Sequence, residues 1–167
     1  ISGADGGCVQ VERRPPRQLD GRMVDFGHVG DLVATDATLP RTLLDASFVP
    51  VIATVCSDGT GALYNVNADT VAAALAVSLG ATRLDLVTGA GGVRRDAADP
   101  DSRIRQLDAA QIDQGVRDGW ITDGMRPKLT VALDALANGV ASVRIVAPDV
   151  LAVPNAGTTV VAEYASL

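Results

Sequence analysis

The chain has 167 residues, of which 47% are hydrophobic and 3% aromatic, and its formal net charge is −6. It can form one compact domain or two small lobes around a core of Val, Leu, Ile and Ala, and its dispersed basic residues argue against nucleic acid or an anionic membrane as the main partner. Cys8 and Cys56 lack metal-ligand spacing, no apolar run approaches ~20 residues, and no signal peptide is evident, so we expect a reduced, cytoplasmic protein.

The first 33 residues predict a long β-hairpin. Residues 8–13 alternate apolar and polar side chains, and residues 23–33 can return as a second extended segment beyond a polar tip. His28, the only histidine, lies in this extended segment, and we assign it a structural role. Because residues 1–7 resemble the end of a strand that enters a Gly-rich turn, we expect that an upstream portion is missing.

The rest of the chain predicts alternating strands and helices. A short helix over residues 36–48 precedes a continuous apolar run over residues 48–56, which is typical of a strand buried on both faces of a parallel sheet. The later predicted helices are 67–79, 107–118 (weakened by Gly115) and 129–138 (ended by Gly139), and the later predicted strands are 83–88, 143–146 and 158–163. This order predicts an α/β fold with a largely parallel sheet.

Residues 65–70, Asn-Val-Asn-Ala-Asp-Thr, form the most informative stretch. Asn67 can cap the helix that follows, and Asp69 lies in its first turn, where the helix dipole favours a carboxylate. That helix is apolar on nearly all faces and should be buried, so its polar mouth could form a binding site. A capping turn without a ligand is the commoner interpretation of the local pattern.

Residues 88–93 contain three glycines that could bring backbone N–H groups close to phosphate oxygens or a nucleotide ring. They fit neither the dinucleotide-binding nor the P-loop pattern, and a simple connector is the alternative. Lys128 is the only lysine among 14 basic residues. An ammonium group in the first turn of a helix opposes the dipole unless an anion such as a transferring phosphoryl group compensates; a solvated surface lysine is the alternative.

Residues 65–70 and residues 121–128, Ile-Thr-Asp-Gly-Met-Arg-Pro-Lys, together resemble the N-acetylglutamate kinases of the amino acid kinase family. Other amino acid kinases share the sheet but not this pair of motifs. The resemblance extends over most of the chain and includes residues 1–7, 26–30, 39–55, 86–88, 132–135 and 157–158.

The resemblance implies a carbamate-kinase-like, three-layer αβα sandwich with an N-terminal β-hairpin. Residues 1–63 would be the remainder of the substrate lobe, with the hairpin as a lid, and residues 64–167 the nucleotide-binding lobe. The implied reaction is ATP-dependent phosphorylation of the side-chain carboxylate of N-acetyl-L-glutamate in arginine biosynthesis. Mg²⁺ would be held mainly by the nucleotide, and the assembly would be a homo-oligomer.

The resemblance also implies residue roles. Lys128 would stabilise the transferring phosphoryl group and Asp69 would orient the catalytic lysines, while Asn65 and Asn67 would bind the substrate. The residues that would surround the nucleotide are Thr88, Gly89, Ala90, Gly91, Gly92, Val93, Arg94, Trp120, Ile121, Thr122, Gly124 and Met125.

Two departures from the family pattern favour an alternative. The upstream lobe, with its Lys-x-Gly-Gly strand end, is absent from this sequence, so the chain alone is expected to be inactive. Gly89 stands where the family usually has Asp, which removes a carboxylate near the nucleotide. The alternative is a non-catalytic, amino-acid-kinase-like module that binds a nucleotide or another ligand, or that serves in assembly.

Overall fold

The computed structural model describes residues 1–122 and 124–162 and divides the chain into two compact units, Ile1–Leu79 and Gly80–Leu167. The expected boundary lay between residues 63 and 64. Helix 68–79 instead groups with the first unit, where it packs against the strand at 30–35. The assignment of a substrate lobe and a nucleotide lobe to the two units remains a prediction.

Unit 1 contains a four-stranded mixed sheet, a two-stranded hairpin and two helices. The elements are β1 Val9–Arg13, β2 Arg17–Leu19, β3 Arg22–Val24, β4 Gly30–Thr35, α1 Thr38–Asp45, β5 Val55–Ser57, β6 Leu63–Asn65 and α2 Ala68–Leu79. The sheet has the order β4-β1-β5-β6, in which only the β1–β5 pair is parallel. Its core consists of Cys8, Val9, Val11, Cys56, Tyr64, Val66, Val71 and Leu75.

The predicted N-terminal hairpin is confirmed. Strands β1 and β4 pair antiparallel, with a bulge between Gln10 and Val11. The tip folds further into the β2–β3 hairpin, whose turn places Asp20 and Gly21 at φ 49° and 77°. Positive φ at both turn residues matches the right-handed twist of the flanking strands, which explains the Asp-Gly pair at this position.

The predicted buried strand over residues 48–56 is wrong. Regular strand structure covers only Val55–Ser57, and the preceding segment makes a single β-bridge, between Ala53 and Ser2. Phe48, Val49 and Val51 are 63%, 86% and 80% exposed. An apolar, β-branched composition shows that a segment suits burial but does not identify the surface that buries it, and within the described residues these three side chains stay more than half exposed.

Unit 2 contains a second four-stranded mixed sheet and two helices. Its elements are β7 Arg83–Val87, β8 Gln106–Leu107, α3 Ala109–Arg117, α4 Arg126–Ala137, β9 Ser142–Val146 and β10 Thr158–Val160. The sheet has the order β7-β9-β10-β8; β7–β9 and β10–β8 are parallel, and β9–β10 is antiparallel. The α/β class is confirmed. The end of the predicted last strand, from residue 163, lies outside the described residues.

Helix α3 contains Gly115, and this glycine faces the residues that follow the helix. A Cβ at Gly115 would lie 2.5 Å from the Trp120 ring and 2.6 Å from Ile121 Cδ1. The helix begins with a capping box, in which the Asp108 carboxylate accepts from Gln111 N while the Gln111 side chain accepts from Asp108 N. The capping box compensates for the helix propensity that Gly115 lacks.

A buried ion pair fastens the loop between β9 and β10. The Arg144 guanidinium is 6% exposed and donates to both carboxylate oxygens of Asp85, at 2.9 and 3.0 Å. It also donates to the carbonyl oxygens of Leu151 and Val153. Hydrogen bonding to Asp85 raises the pKa of Arg144 further above its ordinary value, so this cation holds the loop at any physiological pH. Across the described part of the chain, no helix combines the length and apolarity needed to cross a membrane.

Candidate functional site

The mouth of α2 carries the first set of predicted site residues. Asn67 Oδ1 accepts from the backbone N–H groups of Asp69 and Thr70, at 3.0 and 3.2 Å, which confirms the predicted N-cap. Asp69 is half-buried in the first turn of the helix. The helix behind it buries Val71, Ala73, Leu75 and Ala76. The first turn of α2 is therefore a fixed, polar start to a packed helix.

Asn65 is exposed at the end of β6, just before that helix. Its backbone N–H donates to the carbonyl oxygen of His28 at 2.8 Å, so the strand end is tied to the segment that precedes β4. The His28 ring lies beside Tyr64, with the ring centroids 6.1 Å apart. Asn65, Asn67 and Asp69 therefore all lie at the junction of β6 and α2, within unit 1.

The glycine-rich loop in unit 2 follows β7 at the carboxyl end of that parallel strand, the edge where open α/β sheets bind ligands. Thr88 N donates to Val146 O at 2.9 Å, and Gly91 N donates to Thr88 O at 3.1 Å, which closes a tight turn. The exit of the loop is held by Thr158, which is fully buried. Its Oγ1 accepts from Val93 N at 2.8 Å and donates to Ile104 O at 2.6 Å.

Thr158 is a positioning residue to which the sequence analysis gave no role. Gly92 has φ 140°, and a Cβ there would lie 2.9 Å from Thr158 Oγ1. This glycine therefore allows the loop to approach the buried hydroxyl group. The only sequence indication was the Gly-Thr pair at the end of the resemblance, which carried no information about its contact with the loop.

The start of α4 carries Lys128. Thr122 O accepts from the backbone N–H groups of Met125 and Arg126, both at 3.0 Å, so the turn before the helix is closed by its own backbone. Pro127 occupies the first turn, where its missing N–H costs nothing. Lys128 is half-buried in that turn, as predicted. Asp123, part of the motif quoted for the resemblance, lies outside the described residues.

A cavity of about 320 Å³ joins the glycine-rich loop to the segment before α4. The predicted nucleotide residues that line it are Thr88, Ala90, Gly92, Val93, Arg94, Trp120, Thr122, Gly124 and Met125. Gly89, Gly91 and Ile121 do not line it; Ile121 is buried beside Gly115 instead. Ala97 lines the cavity and was not predicted. The volume lies within the range of small-molecule sites.

Trp120 forms one wall of this cavity and is held on two sides. Its benzo edge packs on Gly115, and the Arg95 guanidinium carbon lies 5.4 Å from the centroid of its ring. The indole Nε1 is buried and has no hydrogen-bond partner among residues 1–122 and 124–162. A buried donor without a partner is costly.

The electrostatics of the described residues argue against covalent catalysis by cysteine. Burial raises the pKa values of the Cys8 and Cys56 thiols, so both stay protonated at neutral pH and are poor nucleophiles. In the described part of the chain, no group of three or more His, Cys, Asp or Glu side chains could hold a metal ion. Unit 2 instead offers a cavity and a cation at the start of α4, and unit 1 offers a polar helix start; each by itself suits the binding of a charged ligand.

Comparison with known proteins assigns the chain to a class. The sequence profile described as the amino acid kinase family matches residues 9–147. The chain therefore belongs to the amino acid kinase family. One relative, the acetylglutamate kinase of Anaeromyxobacter sp. (strain K), is 41% identical over 174 residues, which cover 98% of this chain and 64% of that protein. The chain thus spans less than two thirds of that relative's length.

Solved structures confirm the fold class. The N-acetylglutamate synthase from Neisseria gonorrhoeae, complexed with coenzyme A and L-arginine, matches 98% of this chain and 38% of its own with a TM-score of 0.77 and 25% identity. Carbamate kinase from Giardia lamblia bound to AMP-PNP matches 98% of this chain and 61% of its own with a TM-score of 0.66. At 16% identity, the second likeness shows the fold alone. These findings confirm the resemblance and the carbamate-kinase-like α/β fold inferred from sequence.

Proposed function

We propose that this chain is part of an acetylglutamate kinase, which uses ATP to phosphorylate the side-chain carboxylate of N-acetyl-L-glutamate in arginine biosynthesis. The observation that carries the proposal is the 41% identity to an acetylglutamate kinase across 98% of the chain. Because the chain covers only part of that relative, the complete reaction belongs to the longer protein. We place that protein in the cytoplasm, as a homo-oligomer.

Unit 2 would bind ATP in the cavity of about 320 Å³. Backbone N–H groups of the glycine-rich loop would face the nucleotide, and Trp120 and Met125 would contact the base. Mg²⁺ would come with the nucleotide, held mainly by its phosphates. Of the nine predicted residues in this wall, Gly92 and Val93 would act mostly through the backbone.

Catalysis would depend on positioning and charge neutralisation. Lys128 at the start of α4 would stabilise the transferring phosphoryl group, where the positive end of the helix dipole adds to its charge. In unit 1, Asn65 and the amide nitrogen of Asn67, whose oxygen is occupied by the cap, would bind acetylglutamate. Asp69 would orient the catalytic lysines.

The test is isothermal titration of this chain with Mg-ATP, for the wild type, Lys128→Ala and Asp69→Asn. Removal of an ammonium that contacts the phosphates should weaken binding at least tenfold, and loss of the Asp69 charge should weaken it by less. Arg126→Ala, an exposed cation in the same turn, is the matched control and should leave the affinity within twofold. Equal affinity in wild type and both variants would contradict the assignment.

The activity itself is tested in the longer protein that contains this sequence. ADP formation that depends on N-acetyl-L-glutamate, and that is lost in Lys128→Ala, is the expected result. ADP formation with glutamate but not with acetylglutamate would contradict the proposed substrate.

A second candidate is a non-catalytic, amino-acid-kinase-like module. The structural match to an N-acetylglutamate synthase favours it, because that protein contains the fold and is not named a kinase. Gly89, which supplies no carboxylate to the nucleotide loop, also favours it. A longer protein that binds ATP or acetylglutamate yet forms no ADP would support this candidate over the kinase.

A further inference from the structure

Unit 2 contains a second cavity, of about 400 Å³, beside the glycine-rich loop. It shares only Ala90 and Arg94 with the cavity proposed for the nucleotide. The other charged side chains that line it are Asp101, Arg103, Arg105 and Asp149. Three of the ten lining residues are arginines, so we use the name arginine cavity for it.

The backbone forces two of these arginines to lie side by side. Arg94 and Arg103 form an antiparallel β-bridge, flanked by hydrogen bonds from Ile104 N to Val93 O and from Arg95 N to Ser102 O. This pattern makes Arg94 and Arg103 a non-hydrogen-bonded pair, in which side chains stand closest on one face. Arg105, two residues further on, lines the same cavity. Arg95, the neighbour of Arg94, turns to Trp120 instead.

Like charges directly opposite each other in a β-pair are destabilising unless an anion compensates. No carboxylate among the residues the structure describes lies within 4.0 Å of the Arg94, Arg103 or Arg105 guanidinium nitrogens. Asp101 and Asp149 border the cavity without reaching that distance. Among the described residues, the Arg94 side chain donates a hydrogen bond to Ala97 O at 3.3 Å. The repulsion is therefore not relieved by an ion pair within the described chain.

We propose that the arginine cavity binds a small oxyanion with two or more acidic groups, in a site adjacent to the nucleotide cavity. Guanidinium groups present paired N–H donors that match the oxygens of phosphate and carboxylate groups. The volume suits a metabolite rather than a single ion. The carboxylates of Asp101 and Asp149 would repel the anion and weaken its binding, whereas the three arginines would strengthen it. This inference stands whether or not the protein is a kinase.

The experiment is isothermal titration of the chain with pyrophosphate and, separately, with citrate, at constant ionic strength. Saturable binding of one probe per chain is expected, and the stronger probe shows whether the site takes phosphate or carboxylate anions. Arg103→Gln/Arg105→Gln should weaken binding at least tenfold, whereas Asp149→Asn should strengthen it severalfold. Both arginines are exposed, so folding of the double variant should be retained, which circular dichroism checks.

The matched control is Arg22→Gln/Arg117→Gln, which removes the same charge from exposed positions that do not line the cavity. It should leave the affinity within twofold. The proposal is overturned if neither probe binds saturably, if the control weakens binding as much as Arg103→Gln/Arg105→Gln does, or if Asp149→Asn weakens binding. The last two outcomes would show a general effect of net charge or a ligand that Asp149 holds.

Discussion

At the scale of single residues, Gly157 and Thr158 determine how the last strand meets the rest of unit 2. Gly157 has φ 81°, and a Cβ at this position would overlap the carbonyl oxygen of Ile145. Thr158, directly after it, places its hydroxyl group between Val93 and Ile104. The two residues therefore combine a backbone conformation that glycine favours with a buried hydroxyl group that both accepts and donates a hydrogen bond.

We predict that Gly157→Ala lowers the free energy of unfolding by roughly 3 kcal/mol or more, because a positive φ and a clash with backbone act together. Gly139→Ala is the matched control: it has φ 99°, but no atom lies within 4 Å of its Cβ position. It should cost only about 1 kcal/mol, the price of the backbone conformation. Urea denaturation followed by circular dichroism measures both. Equal losses would show that the contact with Ile145 is not rigid.

At the scale of elements, α3 and the residues after it form one unit of packing. The capping box at Asp108 starts the helix, and Gly115 provides the space for Trp120 and Ile121 at its end. Trp120 in turn forms a wall of the proposed nucleotide cavity. A glycine that weakens the helix locally is thus required by the tertiary contact.

We predict that Gly115→Ala destabilises the protein by about 1–3 kcal/mol, because overpacking against Trp120 outweighs the gain in helix propensity of about 1 kcal/mol. Trp120 is the only tryptophan, so its fluorescence spectrum should shift to the red as the indole is displaced. Asp113→Ala, at an exposed position of the same helix, should leave the spectrum unchanged. A more stable Gly115→Ala variant with an unshifted spectrum would mean that the ring has room to move.

The elements differ in how far the sequence could predict them. The α2 cap at Asn67, the α4 end at Gly139 and the N-terminal hairpin follow from local chemistry, and each was predicted. Helix α3 was only weakly predicted, because the reason for Gly115 lies in its contact with Trp120. The arginine cavity was missed for a similar reason: Arg94 and Arg103 are paired by a β-bridge that no local pattern indicates.

At the scale of the whole molecule, the exposed apolar segment at residues 48–54 is the main disagreement between sequence and structure. Val49 and Val51 project into solvent, and large exposed apolar surfaces mark sites of interaction or aggregation. Val9, in β1 of the same unit, is fully buried. The same type of residue therefore has opposite environments within unit 1, and composition alone cannot distinguish them.

We predict that Val49→Thr/Val51→Thr changes the free energy of unfolding of this chain by no more than about 0.5 kcal/mol per site, because both side chains are solvated already. Val9→Thr, the buried control, should cost about 1–3 kcal/mol, since it places a hydroxyl group in the core. Chemical denaturation gives both values, and light scattering should show less self-association in the double variant. If the double variant lost as much stability as Val9→Thr, the result would support the buried strand that the sequence predicted.

The position of β10 between β9 and β8 affects the order in which the protein folds during its synthesis. On the ribosome, the glycine-rich loop emerges long before Thr158, whose hydroxyl group later holds the loop exit. Until that residue appears, β8 lacks its pairing with β10, and the loop exit lacks the hydrogen bond to the Thr158 hydroxyl group. Unit 2 can therefore complete its sheet only after β10 has left the ribosome, and nascent chains that stall before β10 would present an open sheet edge to chaperones or to one another.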